Sequence, residues 1–310
     1  MTADSGAAGS GAPGTVHDGV IHDLGYRHYD GPRLGRGAII RALYWHSLRS
    51  AYGIGRGAKA KIVPILTFAI MCLPAVVNAV AAARGGGRVI PYDTYVFRLR
   101  GLVMVIFVAA QAPELVSRDL RSHVLPLYLC RPMRRLDYPL AKFAAFTVAC
   151  LALVEIPLLL LYLGTIVDAG GGAAIWRETR ALIPGLLIGV LWAVLFAAIG
   201  LVLASLTGRR AYATGAIAIY FFLTWSLASI LIGVTGGHGG AAAAPLATRL
   251  AGLISPVSVL EGVRQWLGGS SFSPVPRPGS VGALYGAMFL LLLAASLGGL
   301  AARYRKAGLS

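Results

Sequence analysis

Between Ser117 and Lys142 the chain reads SRDLRSHVLPLYLCRPMRRLDYPLAK. Arg118, Arg121, Arg131, Arg134, Arg135 and Lys142 stand here against Asp119 and Asp137. They pair, dock and position. A mixed-charge island between long apolar runs is where a soluble partner can grip a membrane protein. Glu114, Arg118, Asp119 and Arg121 recur at helical spacing, which allows an exposed helix with a Glu114–Arg118 pair. Glu155 lies within the run LALVEIPLLL. A carboxylate in such a run is costly and is by default a functional-site candidate. It would line a polar path, bind a cationic substrate or titrate. The bland alternative is a Glu that is protonated or paired with a neighbouring helix beside Pro157. Asn78 is a weaker pathway candidate, since one interhelical hydrogen bond accounts for it.

Other constellations carry less. His17, Asp18, His22, Asp23 and His28 have loose ligand-like spacing. The segment is broken by glycine and offers no rigid metal geometry, so a solvated or partner-contacting tail is the simpler reading. Cys72, Cys130 and Cys150 show neither CxxC nor Cys/His spacing and read as small apolar side chains. Lys59, Lys61, Lys142 and Lys306 are outside any phosphate-cradling loop, so no ATP or magnesium site is expected in this chain. No motif of nucleophile and base or of paired catalytic carboxylates occurs, and an enzyme is not expected.

The elements that must position these residues follow from composition. The 310 residues are 57% hydrophobic and 13% charged, with a mean hydropathy of +0.72. A soluble domain carries about twice that charge. Apolar blocks of about 20 residues alternate with short polar segments, the pattern of an all-α polytopic membrane protein. The ten-residue alternation of a membrane barrel is missing. Six transmembrane helices are expected, at Ile62–Ala83, Arg100–Val116, Ala141–Val167, Ala181–Leu206, Ala211–Val234 and Val281–Ala302. The second is the weakest, interrupted at Pro113 and Glu114. Together they make a membrane domain over 61–306.

Residues 1–36 read as a cytoplasmic tail, disordered at its Gly/Ala/Ser-rich start and without the pattern of a cleavable signal peptide. Residues 37–60 read as an N-terminal amphipathic interfacial helix with Trp45 at the headgroups. The cytosolic start of a long first span is the alternative. Between Thr235 and Ser280, the stretch 250–268 reads as short outer helices before the last span, re-entrant or interfacial, anchored by Trp266.

With both termini inside, cytoplasmic segments carry 19 Lys and Arg and outer loops 9, which favours that orientation. The net charge of +16 and pI near 10.3 are explained by cations that flank apolar spans, so nucleic acid is not expected as a partner.

The string LPLYLCRPMRRLDYPLAK resembles the signature loop of the type-2 ABC exporter permeases. The matching positions are Asp119, Leu125, Leu129, Arg131, Pro132, Arg135, Tyr138 and Lys142. The six-span plan, the amphipathic first helix and the outer helices before the last span are similar to that family over most of 37–306. The resemblance implies a permease in a bacterial inner membrane. It would work with a second permease copy or a sister permease and with two copies of a separate ATPase subunit, which carries the ATP and magnesium. The loop 117–139, with Glu114, Arg134 and Asp137 beside the matching positions, would be the coupling element received by the ATPase. The implied activity is export of an amphipathic small molecule, a lipid-like compound, an antibiotic or a peptide. A family relative serves maturation of copper enzymes, so an exported sulfur or metal-assembly factor is another option. The rivals are a proton-coupled secondary transporter using Glu155, a membrane-embedded enzyme, and a structural or sensory membrane protein.

Overall fold

The computed structural model describes residues 31, 34–81, 84, 92–122, 128, 130, 133–167, 171–235, 245–268 and 278–307, without the side chains of 93–100, 306 and 307. The polar tail with His17, Asp18, His22, Asp23 and His28 lies outside the described residues, as do the loop positions Leu125, Leu129, Arg131 and Pro132. Every regular element in the described residues is helical. They are α1 (Arg36–Ala51), α2 (Ala58–Ala81), α3 (Tyr92–Leu115), α4 (Ser117–Arg121), α5 (Asp137–Val167), α6 (Gly172–Leu206), α7 (Arg210–Thr235), α8 (Leu246–Ala251), α9 (Pro256–Trp266) and α10 (Gly282–Ala307). One 3₁₀ turn, Gly252–Ile254, joins α8 to α9, and another, Gly279–Val281, opens α10.

Six helical stretches are long and apolar enough to cross a membrane: Ala58–Ala81, Gly101–Arg121, Asp137–Val167, Gly172–Leu206, Arg210–Thr235 and Gly279–Arg305. The all-α, six-span expectation holds. The weak second span is a full helix, because Pro113 falls where its missing N–H costs one bond near the end of α3. The helix breaks three residues later at Val116, and α4 leaves from there.

α1 is a helix separate from the first span. The turn Tyr52–Gly57 holds Gly53 at φ 69° and Gly55 at φ 82°, a left-handed backbone that a continuing α-helix excludes. A side chain at Gly53 would also meet the Ala60 carbonyl oxygen at 2.7 Å. The surface-lying expectation for α1 needs correction in one respect. Leu43, Ser47 and Ala51 are buried, and α1 packs along α5 and α3. Arg41, Trp45, His46 and Arg49 keep the outer face. The turn is pinned by the Tyr52 hydroxyl, which donates to the Ala149 carbonyl at 2.7 Å. Burial pushes that phenol well above its ordinary range.

α6 is the central helix, packed on α5, α3, α10 and α7. Several of its contacts are glycine notches into which neighbouring side chains fit. A Cβ at Gly200 would stand 2.3 Å from Val108 Cγ1, and one at Gly185 would stand 3.3 Å from Leu158 Cδ2. α2 and α5 meet the same way, with Gly164 against Ala79. Lipid tails are as apolar as leucine, so spans associate through such close approach rather than through expulsion of water. Trp192, Phe196 and Phe221 stack in series between α6 and α7, at 5.0 and 4.5 Å between centroids.

The outer helices differ from a surface loop. Of α9, Pro256 and Ser258 through Gln265 are all buried among α6, α7 and α10. Tyr285 of α10 fills the space over Gly252 and Gly262 and donates to the Arg249 carbonyl at 2.5 Å. Trp266 is half-exposed at 50% and its ring sits over Gly282. The segment therefore re-enters the bundle instead of lying on it.

An added methyl at Gly164 would fall 2.1 Å from Ala79 Cβ. Gly164→Ala is expected to lower thermal stability in detergent by about 1–3 kcal/mol. Ala79→Gly in the same chain should restore most of the loss. A Gly164→Ala protein that melts like wild type would show that α2 and α5 do not depend on the notch.

Candidate functional site

Arg36 of α1, the last turns of α3, α6 and α10 and the first turns of α5 and α7 converge at one end of the bundle. Three carboxylates organise it. Asp119 of α4 accepts from Lys142 Nζ at 2.8 Å and from the Tyr138 hydroxyl at 2.5 Å. Lys142 also donates to the Leu115 carbonyl at 2.8 Å, at the last turn of α3. The Tyr138 ring lies under the Lys142 ammonium at 5.4 Å and against Tyr304 of α10 at 5.3 Å. Asp119, Tyr138 and Lys142 belong to the sequence motif, and the fold brings all three together.

Glu114 is 7% exposed and sits between two cations. Arg56 from the α1–α2 turn reaches one carboxylate oxygen at 2.5 Å, and Arg210 from the start of α7 reaches the other. This differs from the expected Glu114–Arg118 pair on a solvated helix. The reason is the break at Val116, with φ −120° and ψ −53°, which takes Arg118 off the row of Glu114. Arg118 points outward and Glu114 inward.

Asp137 opens α5 and receives a fork from Arg36 of α1, with Nε donating at 2.6 Å and Nη2 at 2.5 Å. The backbone N–H of Arg134 adds a third donor at 2.8 Å. The bond to Asp137 raises Arg36 above its ordinary value. Bidentate pairing of this kind fixes orientation as well as position. Further links reach α6: the buried Ser117 hydroxyl donates to the Ala204 carbonyl at 2.7 Å, and Arg303 Nε to the Ser205 carbonyl at 3.2 Å.

The island residues thus divide in two. Glu114, Tyr138, Asp137 and Lys142 are buried and Asp119 is partly so, all engaged within the chain. Arg118, Arg121, Arg134 and Arg135 are exposed. A short helix is tied to three spans on its inner side and offers exposed cations on its outer side.

Glu155 lies on α5, far along the helix from these groups. Both of its carboxyl oxygens are enclosed, and a Cβ at Gly189 of α6 would stand 1.7 Å from Oε1. The α5–α6 seam is therefore open at Gly189 to seat this carboxyl. Asn78 of α2 is 3% exposed. The fold does not join Asn78 and Glu155 into one cluster with the motif residues. The cysteines are free, with Cys150 buried and Cys130 exposed. Among the described residues no three His, Cys, Asp or Glu side chains gather as a metal site.

Sequence reasoning missed a buried ion pair at the opposite end. Glu261 and Arg264 of α9 are 0% and 2% exposed and share contacts of 2.5 and 2.9 Å, with Gln265 Nε2 at 3.2 Å from the same carboxylate. The signal was present as E-x-x-R, an i,i+3 pair able to neutralise itself before burial. Tyr92 caps the same end, its hydroxyl lying 2.8 Å from Thr165 Oγ1 and donating to Glu178 at 3.1 Å.

Lys142→Met should strip Asp119 of its cation and cost about 3 kcal/mol of unfolding free energy in detergent. Asp119→Asn combined with Lys142→Met should recover much of that, because no uncompensated charge is left. Equal losses in the single and double variants would mean that the pair does not clamp α4. Comparison with protein-family models and with curated proteins gives no match for this chain.

Proposed function

We propose that this chain is the membrane-spanning permease subunit of an ATP-driven ABC exporter. It would form the substrate pathway as a dimer, with a second copy or a sister permease. ATP and magnesium would bind a separate ATPase subunit, present twice. The chain would lie in a bacterial inner membrane with both termini cytoplasmic, and it would not itself be an enzyme.

The observation that carries the reading is the clamp on α4. The family's loop must receive a push from the ATPase and pass it to the spans. Here Asp119 ties α4 to Tyr138 and Lys142 at the start of α5, and Ser117 ties it to the end of α6. Next to it, Glu114 links α3 to Arg210 of α7. A displacement of α4 would reach α3, α5 and α6 directly and α7 through Glu114. Pro139 at the start of α5 adds stiffness. Arg118, Arg121, Arg134 and Arg135 are exposed and free to meet acidic groups of a partner.

The test is affinity purification of the tagged chain from its native membrane, followed by mass spectrometry and an ATPase assay. Co-purification of a P-loop subunit with ATPase activity is expected. Arg118→Glu with Arg121→Glu should cut its recovery at least about tenfold, since reversed charges at a rim cost 1.4 kcal/mol or more. Membrane insertion should be unaffected because both side chains are exposed. Unchanged recovery of the ATPase would remove α4 from the coupling role.

A proton-coupled secondary transporter is the second reading, and the enclosed Glu155 carboxyl beside Gly189 is what favours it. Glu155→Gln would then abolish transport driven by a proton gradient in ATP-free proteoliposomes. ATP-dependent transport that survives Glu155→Gln would leave the exporter reading alone.

A further inference from the structure

A cleft of about 310 Å³ runs between the first turns of α5 and the last turns of α10. Pro139, Leu140 and Phe143 line it from α5, and Leu297, Gly298 and Ala301 from α10. Its walls are apolar side chains, and Gly298 leaves the α10 wall low. A Cβ at Gly298 would meet nothing within 4 Å. The cleft opens between two helices that a membrane would surround, and of the α10 span only 22% is buried within the chain. Leu140 at its mouth is 55% exposed.

The mouth is rimmed by cations. Arg134 and Arg135 directly precede Leu136, which also lines the cleft. Arg305 lies one helical turn beyond Ala301, on the same face of α10. All three are exposed. The contact between Tyr138 and Tyr304 at 5.3 Å holds the two helix ends together beside them. The described carboxylates at this end are Glu114, Asp119 and Asp137, and each is already committed to a cation elsewhere. Arg135 and Arg305 thus have no anion from the described residues, while Arg134 shares Asp137 with Arg36.

We infer that this cleft is a binding site for an anionic phospholipid. One acyl chain occupies the apolar groove between α5 and α10, and the headgroup phosphate meets Arg135 and Arg305, with Arg134 alongside. Arginine suits a phosphate because its planar fork donates two hydrogen bonds at once. An apolar slot that ends in cations matches an acyl chain that ends in a headgroup of net negative charge; a soluble phosphate lacks the chain, and the ammonium of a zwitterionic lipid offsets its phosphate beside the arginines. The site needs only a membrane-spanning fold and does not depend on the exporter reading.

The full-length chain, purified in mild detergent, would be offered equal amounts of phosphatidylglycerol and phosphatidylcholine and examined by native mass spectrometry. Phosphatidylglycerol adducts should exceed phosphatidylcholine adducts by at least about tenfold, equivalent to about 1.4 kcal/mol. Gly298→Leu should abolish the excess by filling the groove, and leucine is a better helix former than glycine, so the fold should persist. Arg135→Gln with Arg305→Gln should leave the two lipids equal. Glycerol 3-phosphate in excess should not displace the lipid. The inference is overturned if Gly298→Leu retains phosphatidylglycerol as wild type does. It is equally overturned if wild type holds both lipids alike, or if glycerol 3-phosphate alone competes. Loss of a dimer in Gly298→Leu with lipid retention unchanged would assign the cleft to a second copy of the chain instead.

Discussion

Burying a carboxylate inside a bundle of membrane helices demands a cation close by, and three such pairs hold the basic end of this protein together. Glu114 binds Arg56 and Arg210, Asp119 binds Lys142, and Asp137 binds Arg36. Each pair joins segments that are distant in sequence. An unpaired carboxylate at these positions would cost several kcal/mol, so the pairs force α1, α3, α4, α5 and α7 into one arrangement. The contribution to net stability is modest, since desolvation offsets much of the attraction. The contribution to register is large, because the Arg36 fork and the Tyr138 hydroxyl accept few alternatives.

The same constraint shapes the surface. Once the acids are engaged internally, the arginines around them face outward. Arg118 and Arg121 do so on α4, Arg134 and Arg135 before α5, and Arg305 on α10. A rigid, cationic end follows directly from where the carboxylates are used. The proposed docking of an acidic protein surface and the inferred capture of an anionic lipid would both draw on this one charge distribution, Arg118 and Arg121 serving the first, Arg305 the second, and Arg134 and Arg135 lying within reach of both.

Away from that end, packing rests on glycine. Gly164, Gly185, Gly189 and Gly200 let α2, α3 and α5 approach their neighbours closely, and Gly252, Gly262 and Gly282 seat Tyr285 and Trp266 around α9. α9 carries its own ion pair, so it enters the bundle electrically neutral. Many large apolar side chains point outward: Phe222, Leu223 and Ile230 of α7 are each more than 60% exposed. A soluble protein would bury them, whereas in lipid they need no cover.

The sequence by itself determined the class of the fold, because hydrophobic length is a local property. Six apolar runs separated by charge leave a chain no other regular structure in a membrane, and their bounds were legible to within a few residues except at the starts of α3 and α6, which begin eight residues before the expected Arg100 and nine before the expected Ala181. The break between α1 and α2 could be suspected from GIGRGAK, and the positive φ angles at Gly53 and Gly55 decided it. The composition of the island and its motif residues were also legible. Which of them face inward was not. Helical spacing allowed Glu114 to pair with Arg118, yet partner choice depends on what other helices bring near, and Arg56 and Arg210 arrive from 58 and 96 positions away. The sequence left α9 re-entrant or interfacial for the same reason. Its amphipathic pattern suits an interface, but Glu261 and Arg264 neutralise each other, and the glycines under Tyr285 open a place for the helix inside. Long-range pairing and close approach are decided by tertiary structure, because they depend on distances between segments that local sequence does not encode.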